Sequence, residues 1–405
     1  MTSPAVEPAP TRARHLVPLV LTAVLVVLLG GAGVAAWLTS GQVTARKAVA
    51  EQPVPDPTLT ADAPAGPHTA IAWDAPLALT VADGTVRSVT VLDPDGQPLP
   101  GATGDATTWR STASTLIPAA TYAVSAEVAD RRGRAHTLTL SLHTTPATRV
   151  LHAILSPGDD NVVGVGAPVV VLLDHPVKTD ADRAAVVQRL SVTTVPAVTG
   201  AWRWMENAEL HYRPATFWAA GTRITVRSDF HRLQLSGGTW GSGTRTTSYR
   251  IGDAMVSVVD VRSHTMTVRR NGQVLRVLKV STGRPEFETH NGVHIVLEKT
   301  KLKTMDSSTI GIPRNSPGGY YLKVPNSVRI SNSGEFVHSA PGTVRQQGHA
   351  NVSHGCVNLA PADAAWFYPL AKRGDVVQVV GSPRKPISWD PGTSDWNIPF
   401  SRWAN

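Results

Sequence analysis

The residues with the clearest capacity for chemistry lie in Asn351-Val-Ser-His-Gly-Cys-Val-Asn358, where the chain's only cysteine, Cys356, sits among polar neighbours. A thiol is a weak nucleophile until it loses its proton. Its free pKa is about 8.5, and a nearby imidazole lowers that value or takes the proton itself. Two histidines are candidates: His354, two positions before the sulfur, and His338, upstream in Phe336-Val-His338-Ser339. In an extended strand positions i and i+2 share a face, and Gly355 between His354 and Cys356 permits a bend. Gly355 would also let a substrate carbonyl reach the backbone N–H groups of Gly355 and Cys356, an oxyanion hole worth about 3 kcal/mol per donor. Two blander readings stand beside this one. A lone cysteine in a β protein is often an inert buried hydrophobe. His338, His349, His354 and Cys356 could also ligate zinc, but their spacing matches no zinc pattern, and His349 reads as a surface residue.

The elements that must hold these groups are short strands. From near Ile251, Val256–Val261 reads as a strand, and Thr265–Arg270 and Gln273–Val280 flank Asn271-Gly272, a two-residue hairpin signal. Strands and Gly/Pro-rich loops continue to Gly381. One helix is expected at Pro361–Arg373, with Pro361 in its first turn, Asp363 at its positive end, a possible kink at Pro369, and Lys372-Arg373-Gly374 as its stop. The tail, 382–405, carries Trp389, Trp396 and Trp403, and is expected to pack back on a domain.

Two further modules precede this region. In 66–146, Ser88-Val-Thr-Val-Leu, Tyr122–Val128 and Thr137–Leu142 alternate as strands, with turn signals at Pro94-Asp-Gly and Arg131-Arg-Gly, the pattern of an immunoglobulin-type sandwich. Residues 147–250 repeat the style, with strands at Pro168–Leu173 and Thr222–Val226 and a short helix at Asp180–Leu190. Trp202, Trp204 and Trp218 read as core or interdomain aromatics, with sugar stacking as the alternative.

At the N-terminus, Arg12 and Arg14 precede the uncharged run Leu16–Leu38, long enough to span about 30 Å of hydrocarbon as a helix. Residues 1–45 are therefore expected to be a cytoplasmic tail and membrane anchor, with everything after it outside the cell. A Pro-rich linker over 46–65 would hold the modules off the membrane. One cysteine in 405 residues excludes an intrachain disulfide. The composition, 42% hydrophobic and 17% charged, argues against wholesale disorder, and the net charge of +8 in an exported chain reads as attraction to an anionic wall or as a solvated surface rather than as nucleic-acid binding.

The string His338-Ser339 followed by Ser353-His354-Gly355-Cys356-Val357-Asn358 resembles the signature of the L,D-transpeptidase (YkuD) catalytic domain. Lys303–Thr309, His338–Pro341, Trp366-Phe-Tyr, Gly200–Trp204 and Asp395–Pro399 are similar to mycobacterial and related actinobacterial members. The resemblance implies a mainly β chain: an N-terminal transmembrane helix, two immunoglobulin-like β-sandwich modules (66–146, 147–250) and a YkuD-type β-sandwich catalytic domain with a short helix (251–381). It also implies a membrane-anchored, single-pass protein that acts in the cell-wall space on peptidoglycan tetrapeptide stems as donor and acceptor. Cys356 would form a thioester with release of D-Ala, and an amine would resolve it into a 3→3 cross-link, without cofactor, metal or ATP.

In that reading His338 is the base, the backbone carbonyl of Ser339 orients it, and His354 and Gly355 shape the site. Met305, Tyr320, Ser333, Ser353 and Asn358 contact substrate or support it. The loop around Asp306–Gly319 is a candidate lid, although Ile310 and Gly342 stand where some relatives have aromatics. A carbapenem is expected to acylate Cys356. The rival readings are an L,D-carboxypeptidase that uses water as acceptor, and a non-catalytic wall-binding stalk.

Overall fold

The structure, a computed structural model, describes residues 53–62, 70–388, 392 and 394–404. The expected anchor Leu16–Leu38 and Trp389 lie outside them, and among the described residues no helix is long and apolar enough to cross a membrane.

Strands dominate because the chain alternates small or β-branched residues with polar ones. In the first module, Thr58–Ala61, Ala78–Ala82, Thr108–Ser111 and Gly101–Thr103 form one sheet, and Gly84–Leu92, Thr121–Asp130 and Ala135–His143 another. All pairings are antiparallel. Leu79 and Trp109 from the first sheet meet Tyr122, Val124 and Leu142 from the second in one core. The linker expected over 46–65 is corrected here. Thr58-Leu-Thr-Ala pairs as an edge strand on Ala78–Ala82, because Leu59 has a core to pack against and its threonines face out.

The second module repeats the two-sheet plan. It also contains helix α1 (Asp180–Gln188), whose first turn is capped by the Thr179 hydroxyl accepting from Asp182 N–H at 3.1 Å. The helix stops short of Leu190, which opens the strand Leu190–Val195 instead.

The third region is a nine-stranded sheet that folds over on itself. In chain order its strands are β1 (Met255–Asp260), β2 (Thr265–Arg270), β3 (Gln273–Ser281), β4 (Gly292–Ile295), β5 (Glu298–Asp306), β6 (Tyr321–Arg329), β7 (Phe336–Ser339), β8 (Val357–Leu359) and β9 (Val376–Val380). Their spatial order is β4-β9-β1-β2-β3-β8-β7-β6-β5. The β2–β3 hairpin turns at Asn271 and Gly272, both with positive φ (50° and 84°), as a type I′ turn requires. The long strand β3 serves both halves. Its early residues pair with β2, and Val280 and Ser281 pair with β8.

Between the halves, Met266, Val268, Leu278, Val337, Val357, Leu359 and Val379 pack with Ala364 and Phe367 of helix α2 (Pro361–Leu370). α2 begins at Pro361, as the sequence suggests, but ends at Leu370 rather than Arg373. Pro369 removes a backbone donor from its last turn, and Ala371 leaves the helix in an extended conformation. Lys372-Arg373-Gly374 form a tight turn, with Lys372 N–H on Asp375 Oδ2 at 2.7 Å.

The C-terminal segment bridges the second module and the catalytic sheet. Trp403 is fully buried and donates to Ala201 O at 2.9 Å, and Trp396 donates to Gly166 O at 2.7 Å. The buried Arg213 guanidinium lies over the rings of Trp396 and Trp403, 4.8 and 4.4 Å from their centroids. Beside it, both ring nitrogens of His211 meet carboxylates: Nδ1 lies 2.7 Å from Asp395 and Nε2 2.7 Å from Glu209.

Burial pulls the His211 imidazolium down, but the charges and hydrogen bonds of Asp395 and Glu209 outweigh it and raise the group to about 9. The folded value lies above the unfolded one, near 6.5. This clamp therefore contributes its full stability below about pH 6.5 and loses it as pH rises through about 9. Melting temperature is expected to fall between pH 7 and pH 10, and to fall less in His211→Gln. Thermal melts of both proteins across that range check this.

Candidate active site

Parallel pairing of β7 with β8 sets the site: Val337 lies opposite Val357 and His338 opposite Asn358. Side chains alternate across a strand, so Val337, Val357 and Leu359 enter the core, and His338, Cys356 and Asn358 fall on the other face. There they open into a cavity of about 520 Å³. Met305, Tyr320, Ser339, Ser353 and His354 also line it, so the pairing of distant segments gathers most of the residues the sequence singled out.

Cys356 is half-buried, and its thiol points at Gly334 O, 3.8 Å away. Burial first, and then the Glu335 carboxylate, push that thiol up to about 12, against a hydrogen bond from Phe336 N–H. His338 Nδ1 donates to Ser339 O at 2.8 Å, which leaves Nε2 as the bare, basic nitrogen. Burial holds the His338 imidazole below its ordinary range. The resting pair is therefore a neutral thiol and a neutral imidazole. Asn358 Nδ2 donates to Thr343 Oγ1 at 3.2 Å, which fixes the wall of the cavity beside His338.

The turn that presents the sulfur is held by main-chain bonds. Gly355 has φ +117°, a conformation that strains any residue with a Cβ. Ser353 Oγ donates to Cys356 O at 2.7 Å and accepts from Gly355 N–H at 3.1 Å. This corrects the expected oxyanion hole, because the Gly355 amide is already engaged. Gly355 O in turn accepts from Thr289 Oγ1 at 2.8 Å.

Ser333 is the second correction. It is absent from the cavity wall, and its hydroxyl lies 2.8 Å from Ser331 Oγ in the turn ahead of β7. The zinc reading also finds no support, since His349 is exposed and among the described residues no three His, Cys, Asp or Glu side chains cluster as a metal site.

His354 packs between the rings of Phe287 and Tyr320, with centroids 4.9 and 5.2 Å away. Burial, and then the Arg284 charge, lower its basicity. Burial, followed by the charges of Cys356 and Asp306, pushes the Tyr320 phenol up to about 12. The 306–319 loop closes on itself at its neck: Ser307 N–H donates to Tyr320 O at 3.0 Å, and Tyr320 N–H to Ser307 Oγ at 2.9 Å. Arg314 grips the Asp306 carboxylate with two nitrogens and lies 4.3 Å over Tyr321. That grip holds Asp306 well below the usual carboxylate range. The end of the loop, Gly318-Gly319-Tyr320, forms one side of the cavity.

Sequence reasoning missed Thr289, Phe287 and Thr343, whose roles depend on segments that meet only in the fold. It also missed Glu335, which did leave a signal. It stands immediately before β7, next to the apolar pair Phe336-Val337, and is buried there, where a carboxylate is out of place.

Comparison with known proteins agrees with this geometry. Residues 254–379 match the family model described as the L,D-transpeptidase catalytic domain, and residues 68–234 match the bacterial Ig domain. The chain is 38% identical to L,D-transpeptidase 2 of Mycobacterium tuberculosis over 86% of its own length and 84% of the relative's. It is 40% identical to L,D-transpeptidase 1 of the same organism, over 56% of this chain and 84% of that one. A solved structure of LD transpeptidase LdtMt1 in complex with imipenem superposes with TM-score 0.50 at 38% identity, covering 56% of this chain and 98% of the other.

Two serines separate backbone from side-chain roles. Ser339 acts on His338 through its carbonyl, so Ser339→Ala is expected to acylate within about threefold of the parent. Ser353 acts through its hydroxyl. Ser353→Ala removes both staples of the turn, each worth about 1 kcal/mol, and should slow acylation about tenfold or more. Stopped-flow acylation of both variants checks the contrast.

Proposed function

The chain belongs to the L,D-transpeptidase family, and on that premise we propose that Cys356 and His338 carry out a two-step acyl transfer between peptidoglycan stems. The observation that carries this reading is that His338, on β7, and Cys356, immediately ahead of the adjacent parallel strand β8, line one cavity.

In the first step Cys356 Sγ attacks the carbonyl of the third residue, a diamino acid, of a tetrapeptide stem. The thiol proton passes to His338 Nε2 as the S–C bond forms, so no resting thiolate is needed. The C–N bond to the terminal D-Ala breaks, and its amine leaves with the proton from His338. In the second step a side-chain amine of a neighbouring stem attacks the thioester and gives its proton back through His338 to the departing sulfur. The product is a 3→3 cross-link, and the bond broken supplies the energy of the bond made. With the Gly355 amide committed to Ser353, the Cys356 N–H is the donor of that pair left to meet the oxyanion.

His338 must be neutral to act, and burial favours that form. Thiol and imidazole lie out of hydrogen-bond contact at rest and are brought together by bound substrate. The 306–319 loop and Tyr320 shield the thioester from water so that an amine outcompetes it. The run Leu16–Leu38 anchors the chain in the cell membrane as a single span, and the two sandwich modules carry the catalytic domain into the wall space.

The test pairs a tetrapeptide muropeptide with a carbapenem. Wild type is expected to convert the muropeptide into a cross-linked dimer with release of D-Ala, and to gain one carbapenem adduct by intact-mass spectrometry. Cys356→Ala should do neither. A tripeptide as sole product would mean that water is the acceptor. An adduct on both proteins would remove Cys356 from the chemistry. His338→Gln should slow acylation by about 10²–10⁴-fold.

A further inference from the structure

Beside the nucleophile turn, just ahead of β7, lies a group of titratable residues that the reaction above does not use. Glu335 is 5% exposed. Its Oε1 accepts from the backbone N–H of His290 at 2.9 Å and from His290 Nδ1–H at 2.9 Å. Its Oε2 faces His294 Nδ1 at 3.6 Å, and neither of those two buried atoms has a hydrogen-bond partner. His294 Nε2 donates to His290 O at 2.9 Å, so the neutral ring would turn a lone pair toward the carboxylate. A proton on Nδ1 converts that face-off into an attraction.

Two links run from this group to the sulfur. Thr289, adjacent to His290, donates to Gly355 O at 2.8 Å, and Gly334, adjacent to Glu335, offers its carbonyl to the thiol at 3.8 Å. Glu335 also lies against the turn itself: a Cβ built on Gly355 would stand 3.7 Å from Glu335 Cγ and 3.8 Å from Oε1, at van der Waals distance.

We propose that Glu335, pinned by His290 and His294, is a positioning residue for Cys356. It braces the turn through the His290–Thr289 segment, and its charge keeps the proton on the sulfur until His338 takes it. The idea rests on Cys356 being the nucleophile. The titratable groups that face Glu335 are His290 and His294, from the segment that enters and forms β4, and Cys356, from the turn before β8. Burial alone would raise the Glu335 carboxyl, but the hydrogen bond from His290 and the charge of His294 hold it below its ordinary value, so it stays ionised. The reaction then has a built-in restraint: a sulfur that is slow to ionise unless substrate and His338 act together.

The test uses the chain's single cysteine, which makes alkylation unambiguous. The rate at which iodoacetamide labels Cys356 is measured from pH 6 to pH 10 by intact mass in wild type, Glu335→Gln and His294→Phe. Glutamine keeps the acceptor for His290 and supplies an N–H for His294 Nδ1, so that variant should fold. Its profile is expected to move to lower pH, with labelling about three- to tenfold faster at pH 8. His294→Phe leaves the carboxylate less compensated, so its labelling should slow. Opposite shifts are what a charge effect requires, whereas a merely loosened turn would move both variants the same way. Profiles that overlay wild type, or that shift together, would overturn the proposal. If Glu335→Gln fails to fold, unchanged or faster labelling of His294→Phe overturns it, and slower labelling supports it. Whether Cys356→Ala still transfers peptide is read separately and bears only on the function itself.

Discussion

The catalytic half of this protein depends on one parallel ladder, β7 against β8. Three aligned pairs, from Val337–Val357 to Ser339–Leu359, commit Val337, Val357 and Leu359 to a fully buried core. The even-numbered residues then have no choice but the opposite face, where the cavity lies. A slip of one residue would turn His338, Cys356 and Asn358 inward and expose Val337 and Val357. Burial of those valines and of Leu359, at about 1.5–3 kcal/mol each, thus enforces the register that chemistry needs.

Around that ladder the site is built from restraints rather than from charge. The imidazole is fixed by one main-chain carbonyl, and the turn by a serine and a threonine that bond to the backbone. Both reacting groups are neutral at rest, because burial disfavours the charged form of each. Such a pair suits transfer to an amine. A permanently ionised sulfur would be open to oxidation, whereas a sulfur that ionises only as it attacks is spent on substrate. The buried carboxylate of Glu335 adds to that restraint from beside the nucleophile turn.

The catalytic sheet does not stand apart from the second module. Gly164 and Gly166 donate to Arg373 O and Gly374 O, both at 2.8 Å, and a Cβ on Gly164 would lie 2.1 Å from Asp375 N. The C-terminal segment closes the joint, with Arg213 among the tail's aromatic rings and His211 between two carboxylates. Buried cations of this kind are costly to leave unpaired, so the joint favours one arrangement of module and sheet over looser ones. The second module is therefore joined to the catalytic sheet by buried contacts rather than by a bare linker.

Local signals in the sequence were enough for the β character of the chain, the Asn271-Gly272 hairpin, helix α2 from Pro361, and the motif segments of His338 and Cys356 that the fold brings to one cavity. Each rests on short-range chemistry: strand alternation, turn conformation, or a motif confined to a few residues. The same locality explains the errors. Helix α2 ends early because Pro369 removes a backbone donor from its last turn and Ala371 leaves it in an extended conformation. Thr58–Ala61 reads as linker until a neighbouring strand gives Leu59 a place to bury. Gly355 looks free to bind an oxyanion until Ser353 takes its N–H, and Ser333 looks like part of the cavity until the fold sets it in the turn ahead of β7, off the cavity wall. Glu335 shows the division most clearly. Its place beside the apolar start of β7 marks it as an unusual charge, yet its partners, His290 and His294, lie more than forty residues earlier and come within reach only when the segment around β4 folds against it. Residue type and local spacing decide what chemistry is possible. Only long-range pairing decides which hydrogen-bond donors are already taken and which charges face one another, because both depend on distances the linear chain does not contain.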